Sequence, residues 1–307
     1  MAENSKRKEH IVPSMILSEF VAPDGFLWVY EKDKPPRRSR PKNECVERDY
    51  FEYALRGKET NNLYENWLSQ IESKAKNILN TFKKGGRISN EEAGHWAQFV
   101  ASLFSRTRKY RDQISKSMTQ RVREQTENPD SIRDIQYALL QKGELHFADD
   151  LKQAVTENRT AMETSPSFYH VSTLPKRTLN IAKLLVKKGA WHTIEAPPNA
   201  FFVFSDCPVM TYEERDGQVL PGVGFGHENT VAMLPISPKH LWVASPHHLK
   251  WRREATISGV NNINRLIVQF ADRNVYANVQ SNEIRTLVDK EINYLVFGEN
   301  AFVPQPR

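Results

Sequence analysis

Cysteine is scarce in this chain of 307 residues, since Cys45 and Cys207 are the only two. No second cysteine lies near either of them in the sequence, which excludes a cysteine-based zinc motif and favours a reducing compartment. Long apolar runs are missing too, because no stretch of about 18 apolar residues is present to form a transmembrane helix. The first eight residues are polar and basic, and no apolar signal segment follows them. These absences predict a soluble, cytoplasmic protein without a membrane partner.

Sequence motifs that would identify an activity are absent as well. There is no phosphate-binding loop ending in lysine, no strand-linked G-x-G-x-x-G, no H-E-x-x-H and no G-x-S-x-G. Segment 217–226 is rich in glycine, and we expect a loop there. Its glycines at 222–226 lack the spacing and the following helix of a dinucleotide site. Function therefore has to be inferred from single polar residues on apolar elements.

Basic residues are unevenly distributed along the chain. The formal net charge is +6, and segment 32–42 holds six basic residues against one acid, while 106–123 holds seven against one. Such clusters are typical of a helix or loop face in water. They also suit a nucleic acid, a nucleotide or another anionic ligand.

Helical periodicity dominates the middle of the chain. Apolar residues recur at helical spacing from 61 to 84, and a capping box at 89–92 opens a second, longer helix that extends through Met118. On that second helix Arg106 lies beside the apolar stripe, whereas Arg108 points to water. Further helices are predicted at 131–141, 144–163, 173–188, 257–271 and 283–297.

After residue 189 the periodicity becomes that of strands. Strands are predicted at 25–30, 191–196, 201–204, 230–234, 240–244 and 274–279. The fold class is therefore α+β, with a helical middle region packed on a mainly antiparallel sheet from the C-terminal half plus an N-terminal strand.

We expect one unit over 1–307 rather than independent domains. Within it, 1–55 is an N-terminal strand and loop segment, 56–189 is the helical region, and 190–307 is the sheet with two C-terminal helices.

Asp206 is the best single candidate for chemistry. It follows the apolar, mostly aromatic segment 201–204 in a Ser-Asp-x-Pro turn. A carboxylate at the end of a buried strand can act as a base, bind a metal or orient a histidine. It can also cap its own turn, as aspartate does routinely. Both interpretations stay open.

Other polar residues lie on or beside apolar elements. His10 is a candidate general base or phosphate contact, against the alternative of a surface histidine at a helix start. Arg106 either clamps an anion with its guanidinium or forms an ion pair across a helix interface with Glu65 or Glu72. Spacing favours the ion pair.

Two asparagines on the helix predicted at 257–271 form another candidate. Asn261 and Asn264 are three residues apart and share one side of the helix. Either one of them caps the helix, or the pair presents amides to a ligand.

The opening His10-Ile-Val-Pro13-x-x-x-Leu17-x-x-Phe20 resembles the H-x-V-P-x-x-x-L-x-x-F start of a bacterial family of unknown function, DUF4238. The later blocks are similar in the same order, over nearly the whole chain: Val46–Phe51, Glu65 with Ile71-Glu72, Arg106-Thr107, Ser205-Asp206-x-Pro208, Leu234–Pro238, the helix of Asn261 and Asn264, and Ala271-Asp272-Arg273. One departure is Cys207, where the family pattern leads us to expect asparagine.

The resemblance implies that these blocks form one unit, but it brings no established activity. If the polar groups converge, they combine a base, carboxylates and an anion clamp, which suits hydrolysis of a phosphodiester in a nucleic acid or nucleotide. The expected roles are catalytic for His10, Asp206 and Glu65, anion or substrate binding for Arg106, Asn261, Asn264 and Arg273, and divalent-metal binding for Asp206 and Glu72. A toxin or phage-defence effector is the biological role that this family type suggests.

Two alternatives to a hydrolase stay open. One is a non-catalytic module that binds an anion, a nucleotide or a partner protein, with the carboxylates bracing the helices. The other is a purely structural role, in which the polar blocks are ion pairs and turn caps.

Overall fold

The structure is a computed structural model. It describes residues 8–48, 50–51, 63–127, 166–188, 190–215, 218–246 and 254–293, together with scattered positions between 133 and 157. The helices of these segments are α1 Ser14–Leu17, α2 Leu63–Lys83, α3 Asn90–Ser105, α4 Arg108–Glu127, α5 Pro166–Lys188, α6 Ile257–Phe270 and α7 Asn282–Glu291. Most of the helices predicted at 131–141 and 144–163, and the end of the one predicted at 283–297, lie outside the described residues.

The strands form three antiparallel groups. They are β1 Lys8–His10, β2 Leu27–Glu31, β3 Arg37–Ser39, β4 Val46–Arg48, β5 Ala190–Glu195, β6 Phe204–Ser205, β7 Met210–Arg215, β8 Gln218–Pro221, β9 Val231–Ser237, β10 His240–Ser245 and β11 Asn274–Ala277. A five-stranded sheet has the order β5-β10-β9-β7-β8, a four-stranded sheet the order β3-β2-β11-β6, and β1 pairs with β4 in a two-stranded ribbon. The predicted α+β class and the N-terminal strand in the sheet are confirmed, because β2 pairs directly with β11.

The core joins the helical layer to the five-stranded sheet. Helix α3 opens with the predicted capping box, in which Ser89 and Glu92 each bind the other's backbone N–H. Its buried face carries Trp96, whose ring lies 6.0 Å from that of Trp242 on β10 and 5.1 Å from that of Phe82 on α2. Truncating such a buried tryptophan to alanine costs about 3–5 kcal/mol.

The prediction of one continuous helix through Met118 is wrong, because the chain breaks between α3 and α4. Arg106 leaves the helix with φ −98° and ψ 2°. The hydroxyl of Thr107 then accepts the N–H of Tyr110 at 3.3 Å and supports the start of α4. Because of this break, the side chains of α4 point in other directions than one continuous helix would give them.

Strand pairing also differs locally from the prediction. Of the predicted strand 201–204, only Phe204 forms a ladder, and it does so together with Ser205 in β6 against β11. The backbone of Phe202 instead donates to the carbonyl of Pro238 at 2.8 Å. In the glycine-rich segment predicted as a loop, Gln218–Pro221 forms β8 against β7.

No helix in the described segments combines the length and the apolar character that crossing a bilayer requires.

Candidate functional site

A cavity of about 370 Å³ lies where the N-terminal segment, the start of α4 and the ends of β6 and β11 meet. Its volume is in the range that small-molecule sites occupy. It is lined by Ile11, Arg37, Ser39, Asn43, Glu44, Cys45, Val46, Arg108, Asp206, Asp272 and Asn274. We call this space the Asp206 cavity.

The carboxylate of Asp206 holds the backbone that links α6 to β11. Its Oδ1 accepts the N–H of Asp272 at 2.8 Å, and its Oδ2 accepts the N–H groups of Arg273 at 2.8 Å and Asn274 at 3.0 Å. The residue is only 9% exposed. Asp206 therefore caps a turn 66 to 68 residues away in the chain, while the Ser205 hydroxyl closes the local turn by donating to the carbonyl of Cys207.

Burial raises the pKa of Asp206 to about 6, and the negative charge of Asp272 adds to the effect. The three backbone N–H donors oppose the rise, because they stabilise the ionised form. The carboxylate is consequently ionised at pH 7 but close to its titration range. Such a pKa is suited to a general base at neutral pH.

Cys45 and Tyr276 form a neutral pair at the cavity wall. The sulfur of Cys45 lies 3.1 Å from the hydroxyl of Tyr276, and Cys45 has a positive φ of 52°. Burial raises the pKa of both groups. Because the thiolate is the nucleophilic form, this protonated thiol is not a nucleophile.

Two arginines line the cavity, and acidic side chains neutralise the charge of Arg37 more fully than that of Arg108. The guanidinium of Arg37 donates two parallel hydrogen bonds, of 2.6 and 3.0 Å, to the carboxylate of the buried Glu44. Its Nε also donates to Glu31 at 3.3 Å. Arg108 donates from Nε to Glu47 at 2.5 Å. Within the described segments, the two terminal amino groups of Arg108 make no further hydrogen bond, so they can bind a ligand.

The prediction that Arg108 points to water is wrong, since its side chain is 21% exposed and lines the cavity. The helical wheel failed here because it assumed one helix across residues 106 and 107. Its neighbour Lys109 lies close by and donates to the carbonyl of Phe270 at 3.2 Å, and burial lowers the pKa of this ammonium.

His10 lies beside the cavity. It ends β1 directly opposite Val46 of β4, and both Val46 and the next residue, Ile11, line the cavity. Directly paired residues of an antiparallel ribbon project to the same face. The Nε2 atom of His10 is buried and has no hydrogen-bond partner among the described residues.

Arg106 and Glu72 form an ion pair in the helical layer. Their contact is 2.8 Å, with the Arg106 side chain 1% exposed and that of Glu72 27% exposed. The Tyr50 hydroxyl donates to the Arg106 carbonyl at 2.9 Å. The predicted pairing of Arg106 across a helix interface is confirmed with Glu72. Glu65 lies exposed in the first turn of α2.

The two asparagines of α6 have separate surroundings. The amide of Asn264 is buried, accepts the N–H of Val203 at 3.0 Å and donates to the carbonyl of Phe201 at 2.8 Å. Asn261 is exposed, and the helix is capped by the side chain of Thr256. Asn264 thus positions the segment before Asp206 and is occupied by the backbone.

Arg273 contributes its backbone to the site rather than its guanidinium. Its N–H binds Asp206, while its side chain is 66% exposed and approaches Asp272 at 3.5 Å. Of the eight predicted residues, Asp206 lines the cavity, the Arg273 backbone binds Asp206, and His10 lies next to the lining residue Ile11. The cavity residues that sequence reasoning missed include Arg37, Glu44 and Asn274, which follow no motif and are united only by the fold.

A metal ion would find Asp206 and Asp272 here, beside Asn274, whose Oδ1 is buried without a hydrogen-bond partner in the part of the chain that the structure describes. Among the described residues, no group of three or more His, Cys, Asp or Glu side chains is placed to hold a metal ion. Glu72, predicted as a ligand, is paired with Arg106.

The sequence pattern of DUF4238, a protein family of unknown function, matches residues 8–281. The chain belongs to this family, as the resemblance of its polar blocks predicts. The match spans every residue that lines the Asp206 cavity. No curated protein and no solved structure matches the chain.

Proposed function

We propose that the Asp206 cavity is the active site of a hydrolase that cleaves a phosphate ester of a nucleotide or nucleic acid. The observation that carries this proposal is a buried carboxylate with a pKa near 6 in the same cavity as Arg37 and Arg108. A base poised near neutral pH and a guanidinium for phosphate are two of the groups that such a reaction needs.

Asp206 would act through Oδ1. That oxygen accepts one backbone N–H, whereas Oδ2 accepts two, so Oδ1 keeps a lone pair for the O–H of a water. As the water oxygen bonds to phosphorus, its proton passes to Asp206 and the bond from phosphorus to the leaving oxygen breaks. The leaving oxygen takes a proton from solvent, and Arg108 stabilises charge on the phosphoryl oxygens.

A divalent cation belongs to this proposal for an electrostatic reason. The lining side chains include three acids, Glu44, Asp206 and Asp272, against the two arginines. A phosphate entering this cavity would add further negative charge, which a cation such as Mg²⁺ would offset. Asp272 and the Oδ1 of Asn274 would hold the cation, so that Asp206 keeps its role as the base. We expect EDTA to abolish hydrolysis and added Mn²⁺ or Mg²⁺ to restore it.

The second candidate is a module that binds an anion or nucleotide without turnover. The three backbone bonds to Asp206 favour it, because a carboxylate so placed shapes the cavity without taking part in a reaction. Arg37 is likewise fully engaged with acids. In this case ligand binding would need Arg108 but no ionisation of Asp206.

Hydrolysis of bis(p-nitrophenyl) phosphate and of nucleotides, measured beside nucleotide binding by calorimetry, separates the two candidates. The hydrolase predicts turnover that Arg108→Gln lowers and that the exposed control Arg285→Gln leaves unchanged. Binding without turnover at any pH or metal concentration would support the module. Neither binding nor turnover would contradict both.

A role as a toxin or phage-defence effector is the biological form of the hydrolase proposal. We expect arrested growth in cells that express the chain, and normal growth with Arg108→Gln. Arrest by both forms would contradict this role for the cavity.

A further inference from the structure

Two further depressions lie next to the Asp206 cavity along the segment 37–48. A depression of about 280 Å³ shares Asn43 and Val46 with the cavity. A third depression of about 440 Å³ shares Lys42 with the second. The shared wall residues place the three spaces next to one another, and we call them together the 37–48 groove.

Charge changes along this groove. The inner cavity carries more acids than bases, as described above. The outer depressions are lined by the exposed cations Arg40, Lys42 and Arg48, with Asp24 as the acid of the third depression.

Much of the outer positive charge is available to a ligand. Asp24 is held in an ion pair with Arg38. Within the described part of the chain, neither Lys42 nor Arg48 lies within ion-pair distance of an acid. The outer groove therefore favours an extended polyanion that reaches beyond the inner cavity.

Aromatic rings lie against Arg40 of the groove and against the nearby Arg38. The guanidinium of Arg40 lies 5.2 Å from the ring centre of Phe26, and that of Arg38 lies 4.6 Å from Phe26 and 5.9 Å from Trp28. Guanidinium planes held on aromatic faces offer stacking surfaces for bases, and basic grooves with aromatic rings are how proteins hold single strands.

We propose that the 37–48 groove binds single-stranded nucleic acid, with phosphates on Arg40, Lys42 and Arg48 and one nucleotide in the Asp206 cavity. This inference deepens the proposed function, on which it rests for the role of the cavity. A single strand fits because its unpaired nucleotide can enter a space of about 370 Å³, whereas a base-paired nucleotide would have to leave its duplex first.

The test measures fluorescence anisotropy of labelled DNA and RNA strands of about twelve nucleotides, a length within the range of single-strand sites. The variants are Lys42→Glu and Arg48→Glu, and Lys76→Glu is the control with the same change of charge on the exposed face of α2. We expect each groove variant to weaken strand binding by about tenfold and to lower the salt dependence of the affinity by about one phosphate contact. The control should bind as the unmodified chain does.

Comparison probes separate this inference from its competitors. We expect the duplex of the same sequence and a polyglutamate peptide of equal charge to bind at least about tenfold more weakly than the single strand. If polyglutamate binds as tightly as the single strand, and the same variants lose this binding, the inference is overturned in favour of an acidic protein partner. Equal binding of the duplex would overturn the preference for single strands.

Failure here and failure of the proposed function give different results. If the chain hydrolyses nucleotides but the groove variants bind the strand as the unmodified chain does, the groove proposal is wrong and the hydrolase proposal stands. If the groove variants weaken strand binding but no cleavage occurs with any metal or at any pH, the groove proposal stands and the hydrolase proposal is wrong. Both variants change exposed side chains, so circular dichroism should show an unchanged fold.

Discussion

Asp206 and Arg106 are both buried charged residues that the sequence marks as candidates, yet their surroundings differ. Asp206 is held by backbone N–H groups on one side and lines an open cavity on the other. Arg106 is enclosed in the helical layer, and its partner is the side chain of Glu72. A carboxylate satisfied by backbone keeps a face for a ligand. The Arg106 guanidinium instead braces two helices through its Nη1, while its Nε and Nη2 are buried without a hydrogen-bond partner among the described residues.

The strongest test of this contrast is Asp206→Asn. Removal of a general base lowers turnover by about 10²- to 10⁴-fold. The variant also turns an amide N–H toward backbone donors, so the free energy of unfolding should fall by about 1–3 kcal/mol as a charged acceptor is lost. Turnover of the folded fraction, measured below the melting transition, checks the first effect.

Unchanged turnover in Asp206→Asn would remove Asp206 from the chemistry and leave it as a backbone clamp. Arg108→Gln is the companion variant, because it alters the cavity without touching the three bonds to Asp206.

Asn264→Leu should produce the largest effect on stability alone. It leaves the N–H of Val203 and the carbonyl of Phe201 buried without partners, at a cost of about 3 kcal/mol in the free energy of unfolding. Asn261→Leu on the exposed face of the same helix should change it by less than about 0.5 kcal/mol. Urea denaturation of both variants measures the difference, and equal effects would contradict the role assigned to Asn264.

Glu72→Gln should destabilise the protein by about 2 kcal/mol, because it leaves the Arg106 guanidinium buried without a counter-charge. The figure is reduced from that of a fully buried pair, since Glu72 is partly exposed and screened by solvent. The double variant with Arg106→Met should recover most of the loss, because the buried charge is then gone.

Glu65→Gln on the same helix is the control for this pair, with an expected loss below about 1 kcal/mol. Thermal melting in a double-mutant cycle gives the coupling of Glu72 and Arg106. A double variant as unstable as Glu72→Gln alone would contradict the role of the Glu72–Arg106 ion pair in holding the two helices together.

The effect of pH on the stability that Asp206 contributes is a smaller effect, but it is specific to this residue. Its pKa is about 6 in the folded protein and ordinarily 3.8, so the folded state binds the proton more tightly. This residue should therefore raise the free energy of unfolding by about 1 kcal/mol as the pH falls from 7 to 5. The difference in stability between the unmodified chain and Asp206→Asn, measured at both pH values, should widen by that amount.

Activity should respond to pH in the opposite sense. The base must be ionised, so turnover should fall as the pH drops through about 6. A profile that stays flat between pH 5 and 7 would contradict Asp206 as the base.

Several elements were predictable because their signals are local. The capping box of Ser89 and Glu92 and the apolar spacing of α2 depend on residues within a few turns of each other. The break at Arg106 was missed because apolar spacing continues across it to Ile114, and nothing in the pattern marks a change of direction. Asp206 was found because an acid after a buried aromatic segment is unusual, but its partners lie in a distant segment.

The sequence by itself determined the α+β class, most helices and strands, the family and one residue of the cavity. Tertiary structure decided which charges meet: Arg37 with Glu44, Arg108 with Glu47, and Asp206 with the backbone of 272–274. The physical reason is that periodicity and capping act over a few residues, whereas a cavity is built by segments far apart in the chain. Packing alone brings residues 11, 37–46, 108, 206 and 272–274 to one place.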